Sequence, residues 1–507
     1  MQSVFRKFCT RDGLLFLLLL LLIILLRIFV LRDFAFPYTD SDQVMMWQGL
    51  KDFSNGEFHE PRYYGQAYNS MLESFLAVPF YKAGMAAHKC LPLITSILAL
   101  FPIVLISFFV FLKKSPKLSL LILSIPLALP VEYSLITTMP RGFITGIFIN
   151  SFACIGIFYP KSKWSFLLCF FLAVLGFSVN ANSVLLAFPC LAFLFVENIK
   201  NKSFYLYAAA GTAAGLLIHF AANYFYITHP FYNVHPYEFA FSTSSLFTSL
   251  RYPGLYFNDV TPFCRNAGVL SPVLFLLFAF LLYRKKEYRK AIIVVLIPFL
   301  VILTLGINKV HDGQDSVYFS YSRMYLAIPV MLAFIVAWFN DIKNNNYFYL
   351  YLLIPLACLS YQAISMEKTI QHATDPLVYK GVTAVNVDSV YIRCNELNAV
   401  CVENKINLVL VIDHPDNEFY NYACSSCMEN FPNALRPESD RRTWRYQEDE
   451  NKVYPGLLLI DTQRNYAAEF PFIKQSTINP NFYLLENNKK PTMELLNSLG
   501  IWFRPFK

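Results

Sequence analysis

The run 13–31, GLLFLLLLLLIILLRIFVL, carries a single charge, at Arg27. A bilayer core about 30 Å thick is crossed by about 20 apolar residues in a helix, so this run places the chain against a membrane. Arg6, Lys7 and Arg11 precede it as in a secretory signal. The run is too long for a signal core and no small-residue cleavage site follows, so it reads as an uncleaved first helix. Ten more apolar stretches follow, at 91–112, 118–137, 142–159, 164–179, 181–196, 204–227, 268–283, 291–306, 324–339 and 347–364. The expected fold class is an α-helical polytopic membrane protein with about eleven transmembrane helices. Only 15% of the 507 residues are charged and 56% are hydrophobic, against about 25% charged in soluble domains. That excludes a soluble enzyme, a disordered scaffold and a small secreted disulfide protein.

Basic residues orient the spans, because cytoplasmic loops are enriched in Lys and Arg. Alternate connections read MQSVFRKFCTRD, KKSPK, PKSKW, ENIKNK, RKKEYRK and NDIKNNN, with 16 bases and four acids. The intervening connections are longer and less basic. One topology fits every loop: N-terminus in the cytoplasm, eleven crossings, and a C-terminal domain outside. The net charge of +8 then divides into +12 on cytoplasmic segments and −3 on the tail from Glu367, with the rest near neutral. The basic balance records orientation and gives no support for nucleic acid as a partner. The expected division is a transmembrane domain, 1–366, with outer loops at 32–89 and 228–267, and an extracytoplasmic α/β domain, 367–507. Strand-like runs lie at 388–393, 408–412, 456–460 and 482–485. Cys394, Cys401, Cys424 and Cys427 in that tail fit one or two disulfides. The CSSC run could also be a redox pair or half of a zinc site; the lack of a His at ligand spacing and of a second CxxC argues against zinc.

Ionisable groups inside a bilayer are costly and mark sites by default. Arg27, Glu132 and His219 lie within spans, all in the outer half by this topology, with Asn180, Asn182 and Asn223 beside them. The structural alternatives are snorkelling for Arg27 and an interhelical hydrogen bond for His219. No polar path crosses the inner half, which favours chemistry at the outer leaflet over transport.

The first outer loop is the densest in chemistry: PYTDSDQVMMWQGLKDFSNGEFHEPRYYGQAYNSMLESFLAVPFYKAG. Asp40 and Asp42 follow the first helix closely, and Asp42 can cap the next helix. Met46, Trp47, Leu50 and Phe53 share one face there, as in an interfacial amphipathic helix. A second helix is expected from about Tyr68 to Lys82, with Asn69 and Glu73 on one stripe. Carboxylates beside a membrane surface suit general-base chemistry on an acceptor hydroxyl and equally suit a divalent cation. Without either role, Asp40 and Asp42 are a cap and a solvated turn.

Asp40, Ser41, Asp42 and Gln43, then Gly56 and Glu57, Tyr64, Gly65, Gln66 and Tyr68, then Leu72, Glu73 and Pro79 together resemble the first outer loop of bacterial GT-C glycosyltransferases. These are integral-membrane enzymes related to protein O-mannosyltransferases and lipid A aminoarabinose transferases. The motif match covers about fifty residues, and the many-helix layout with an external C-terminal domain agrees along the chain. The resemblance implies a polyprenyl-phosphate-linked sugar as donor, transfer to a glycan, lipid or protein acceptor at the outer face, inversion at the anomeric carbon, and a role in cell-envelope glycans. It makes an acid after the first helix the catalytic base, here Asp40 or Asp42. Relatives often have Asp-Glu where this chain has Asp42 and Gln43, so both acids stay open. Glu73 matches an acid that orients the acceptor or a metal; metal use varies among relatives, so no cofactor beyond an optional divalent cation is implied. Tyr64, Gln66, Tyr68 and Glu132 are candidate substrate contacts.

A departing lipid phosphate needs cations at its developing charge. Arg62, Arg141, Arg251, Arg265, Lys309, His311 and Arg323 are available on the outer side. Arg141 and Arg323 rank first because they start spans, and the run YSRMY resembles an S-R-x-Y element of the superfamily; snorkelling to headgroups is the alternative for each. His311, Asp312 and Asp315 could contact sugar or a cation. No Walker or dinucleotide loop is present. A lipid-linked glycan flippase would show polar residues through the full membrane depth and often repeated halves. An outer-face polymerase or ligase would concentrate its groups in a late loop.

Overall fold

The computed structural model describes residues 6–66, 68–232, 240–263, 268–314, 316–339, 348–375, 384–437, 440–445, 451–487 and 489–503. Arg265 and Asp315 lie outside them. The chain divides into two compact units. One comprises Met1–Ala35, Pro92–Ala221 and Glu238–Ala384; the other comprises Phe36–Leu91, Ala222–Tyr237 and Val385–Lys507. The first loop therefore folds with the tail.

The first unit is helical, and each of the eleven apolar stretches carries helix among the described residues. Among the described residues, five helices are long and apolar enough to cross a bilayer: Arg11–Ala35, Ala87–Lys113, Ala181–Asn198, Lys202–Thr228 and Phe348–Thr374. The stretch expected at 118–137 is broken into Pro116–Leu123, Ile125–Ala128 and Val131–Ile136. Pro126 and Pro130 punctuate it, as expected for a residue that lacks an amide donor. Leu14, Leu17, Leu18 and Leu21 on the first helix are exposed, an apolar face suited to lipid. Close helix approach uses small residues: a Cβ on Gly215 would come within 2.7 Å of Val174 Cβ, and one on Gly211 would meet the Leu167 carbonyl. Polar groups inside the spans find partners. Arg27 donates to the Ser134 carbonyl at 3.1 Å and His219 Nδ1 lies 3.0 Å from the Ser178 hydroxyl. Arg27 is 5% exposed, so it does not snorkel.

The second unit begins with strand β1 (Tyr38–Thr39) and helix α1 (Ser41–Asn55), closed by Gly56 in the left-handed conformation. Helix α2 (Leu72–Lys82) packs on α1 through Ser74, whose hydroxyl donates to the Met46 carbonyl at 2.9 Å. The tail supplies β2 (Val385–Asn386), helix α3 (Val387–Glu403), β3 (Leu408–Asp413), β4 (Asn433–Leu435), β5 (Gly456–Asp461), β6 (Lys474–Gln475) and β7 (Phe482–Glu486). The sheet order is β4-β3-β5-β7-β6, with β4, β3 and β5 parallel and β7 antiparallel to both β5 and β6. Leu408, Leu410, Leu457, Leu459 and Leu485 form its core. Separately, β1 and β2 pair antiparallel, Tyr38 with Asn386 and Thr39 with Val385.

Four local expectations are corrected. Residues 388–393 are helix: Asn386 caps it by accepting from the Asp388 and Ser389 amides, and Val387, Val390, Cys394, Leu397 and Cys401 make one buried helical face. Alternating Val and Ile over six residues mimicked a strand, and the longer 3.6-residue period decides. Helix α1 is not interfacial; Gln43 through Leu50 are all buried. Lys51 donates to the Ser425 and Met428 carbonyls and Ser425 donates to Gln48, so tail backbone covers the face expected to be polar. Helix α2 starts at Leu72, after Asn69 at φ 62°, which removes Asn69 from the Glu73 stripe. Cys424 is bonded to Cys394, leaving Cys427 and Cys401 as thiols. With Cys424 bonded to Cys394, CSSC does not close on itself as a redox pair, and burial pushes the Cys401 and Cys427 thiols up to about 12.

Candidate functional site

The two acids at the head of α1 differ in what holds them. Asp40, not Asp42, is the cap: its Oδ1 accepts from the Asp42 and Gln43 amides at 2.9 and 3.1 Å, and its Oδ2 accepts from the Gln43 side chain at 2.9 Å. Asp40 is 2% exposed. Asp42 sits in the first turn with its side chain 24% exposed, and Oδ1 accepts from Arg441 Nη1 at 3.1 Å. Tyr63 donates its hydroxyl to the Asp42 carbonyl at 2.7 Å. Burial alone would lower the Arg441 pKa, but the charges of Asp42, Tyr63 and Glu418 raise it above its ordinary value.

Around these acids the loop is tightly bonded. Tyr64 is fully buried and donates to Asp52 Oδ2 at 2.9 Å, so its hydroxyl serves the loop. Glu60 accepts from the Gly65 amide and the Tyr226 hydroxyl, while Arg62 donates to Asn223 at 2.6 Å. Burial pushes Glu60 well above the usual carboxylate range against those two hydrogen bonds. Burial likewise lowers Arg62. Glu73 is fully buried in the first turn of α2. Gln66 and Tyr68 are partly exposed.

Asp52, Glu57 and His59 place three metal-competent atoms within 4.8 Å of one another. They could hold a cation, but Asp52 already accepts from Tyr64 and Gln48, and Arg445 Nη2 lies 4.0 Å from it. A guanidinium there opposes a second positive charge. Trp444 stacks on His59 at 4.8 Å and on Tyr232 at 5.4 Å, with Tyr64 edge-on.

Behind Arg441 lies a buried polar core. Asp440 accepts from Arg442 Nε and Nη2, the Asn421 side-chain amide and the Tyr422 hydroxyl, and both Arg442 and Asp440 side chains are 0% exposed. Burial raises Asp440, yet Arg442 and its hydrogen bonds bring it below the usual carboxylate range. Asn421 and Tyr422 belong to the segment Phe419–Ala423, which ends at the disulfide-bonded Cys424.

The remaining candidates belong to the helical unit, where the structure brings Arg141 and Arg323 around one turn. Arg141 donates to the Tyr318 carbonyl; Arg323 donates to the Phe319 and Ser320 carbonyls at 3.0 and 2.9 Å and to that of Asp312. Each is 2% exposed, so neither snorkels. His311 Nε2 donates to the Leu305 carbonyl at 2.8 Å, which leaves Nδ1 to accept from Tyr256 at 2.9 Å. Glu132 lines a cavity of about 620 Å³ together with Phe263, Tyr361, Gln362, Lys368 and His372. The lining is mostly apolar and carries one acid, Glu132, with Lys368 and His372.

Sequence reasoning missed Asp52, His59, Glu60, Trp444 and Arg441. The first three were visible in the run KDFSNGEFHE within the loop. Nothing local could have pointed to Arg441, which lies 399 residues beyond Asp42.

No protein-family model matches the chain, and no curated protein matches it in sequence. Among solved structures, ArnT from Cupriavidus metallidurans, determined in the apo state, matches over 92% of this chain and 97% of its own at a TM-score of 0.54 and 10% identity. This is the GT-C fold. The layout shared with ArnT runs through almost the whole of both chains, so the GT-C arrangement expected from the first loop holds as a multi-pass membrane fold. Which acid acts, and on what, belongs to the residues.

Proposed function

We propose that the chain is a GT-C glycosyltransferase of the bacterial inner membrane. It moves one sugar from a polyprenyl phosphate to a glycan, lipid or protein acceptor at the outer face, with the N-terminus in the cytoplasm. Asp42 is the general base. The acceptor hydroxyl gives its proton to Asp42 as its oxygen attacks the anomeric carbon; the bond from that carbon to the phosphate oxygen breaks, the configuration inverts, and polyprenyl phosphate departs. Glu73 orients the acceptor side of the loop, and Gln66 and Tyr68 contact the acceptor.

The observation that carries this reading is the unequal state of the two acids: Asp40 has both oxygens engaged by the head of α1, while Asp42 is partly exposed. The test uses purified full-length protein in nanodiscs with a panel of polyprenyl-phosphate sugars. Asp42→Asn should cut turnover by about 10²- to 10⁴-fold, the usual worth of a general base. Asp40→Ala should mainly lower stability, by about 1 kcal/mol for a lost cap. Full transfer by Asp42→Asn sinks the mechanism.

A further inference from the structure

Asp42, at the head of α1, meets a cation from the tail, and the molecule is built to bring that cation to it. Arg441 Nη1 lies 3.1 Å from Asp42 Oδ1. The Arg441 amide donates to the buried Tyr422 hydroxyl at 3.1 Å, and the neighbouring Asp440 and Arg442 form the fully buried ion pair. The backbone on both sides of Arg441 is thus fixed by groups that never reach water. On the opposite side the first loop makes room: Gly65 has φ +69°, and a Cβ there would stand 2.7 Å from Arg441 Cβ and 3.1 Å from its Cα. Only glycine fits both that backbone conformation and that approach. The nearby charges leave the pairing intact. Glu418, another acid facing Arg441, is bonded to Arg436 and is itself pushed up by burial. Tyr63 reaches the Asp42 carbonyl, and Asp40 is turned into the cap.

We propose that Arg441 is the positioning counter-ion of Asp42: one Oδ is pinned, the carboxylate is kept charged, and the acid is aimed for the incoming acceptor hydroxyl. This rests on the reading of Asp42 as the general base. The tail domain thereby governs the charge state of a residue in the first loop, and Arg441 acts through Asp42 without touching the sugar.

A cation within about 4–6 Å lowers a carboxylate pKa by about 1–3. Removing Arg441 therefore raises the pKa of Asp42, so the base is protonated at acidic pH and ionised again at alkaline pH. In full-length protein in nanodiscs, Arg441→Gln should move the acid limb of the transfer rate upward by about one to three pH units. About one pH unit below the variant's new midpoint its turnover should be down about tenfold from its own plateau. That alkaline plateau should lie below the wild type, because the base is ionised again there but is no longer aimed. Arg441→Lys should bring most of the limb back. A merely structural lesion lowers the rate by the same factor at every pH, and that result overturns the proposal. Where Arg441→Gln does not fold, Gly65→Ala keeps the arginine and displaces it; its limb should also rise, and an unmoved limb overturns the proposal.

A second readout needs no turnover. Thermal midpoints of Asp42→Asn, Arg441→Gln and the double variant form a cycle; the second substitution should cost little once the first is made. Additive losses overturn the counter-ion role whether or not the protein transfers sugar. A wild-type chain inactive on every donor, with the cycle still coupled, sinks the glycosyltransferase reading and leaves the pair standing.

Discussion

Arg323 in the helical unit and Arg442 in the second unit are about equally buried, at 2% and 0% exposure, yet their guanidinium groups are held differently. Arg323 donates to three carbonyls, those of Asp312, Phe319 and Ser320, and its guanidinium lies 4.0 Å over the Phe319 ring. Arg442 donates to the carboxylate of Asp440 as well as to Asn421 and the Ala434 carbonyl. A guanidinium that gathers carbonyls fixes the path of a turn. A guanidinium on a buried carboxylate couples two charges, so loss of either strands the other.

The comparison can be broken most sharply at Arg442. Arg442→Met leaves Asp440 as an uncompensated buried charge and should cost about 3–5 kcal/mol. Urea unfolding of the full chain, followed by fluorescence, reads that loss. Adding Asp440→Asn should recover part of it; a double variant as unstable as the single one contradicts the ion-pair account. The effect expected at Arg323 is smaller. Arg323→Gln strands buried carbonyls at about 1–3 kcal/mol, measured by the same urea titration. A loss at Arg323 that matches or exceeds the one at Arg442 would erase the distinction between the two arginines.

The smallest effect concerns Glu60, a buried acid that accepts from an amide and a hydroxyl. Its folded pKa lies well above its ordinary value, so the native state binds a proton that the unfolded chain gives up. The resulting stability is complete below the unfolded pKa of about 4.3 and drains away as pH rises through the higher folded value. Glu60→Gln, neutral at every pH, should therefore gain on the wild type as pH rises from 5 to 8. Melting curves at the two pH values measure the gain, and an equal difference at both would place Glu60 outside this class.

Much of the helical unit was legible because apolar length and basic loops report directly on a bilayer. The strands at Leu408–Asp413, Gly456–Asp461 and Phe482–Glu486 were legible for a similar reason: compact runs of Leu, Val and Ile bounded by Gly, Asp and Asn. What failed depended on partners distant in sequence. The apolar face read on α1 was real, but the other face is covered by tail backbone at Ser425 and Met428, so a pattern that signals an interfacial helix belonged to a buried one. The cap was misassigned to Asp42 by two residues, since either acid satisfies the cap rule and the Arg441 contact sets Asp42 apart. Arg141 and Arg323 stand out in the sequence as charges at the ends of spans. Each donates to backbone carbonyls, which residue type alone does not disclose.

The ribbon formed by Tyr38 with Asn386 and Thr39 with Val385 sets a timetable for biogenesis. Its first strand leaves the ribosome early and waits while nearly all of the helical unit is made, because its mate is encoded after the last apolar helix. The residue that meets Asp42 is translated later still. A nascent chain thus displays the acids with neither the ribbon nor the guanidinium in place until Val385, Asn386 and Arg441 have been made.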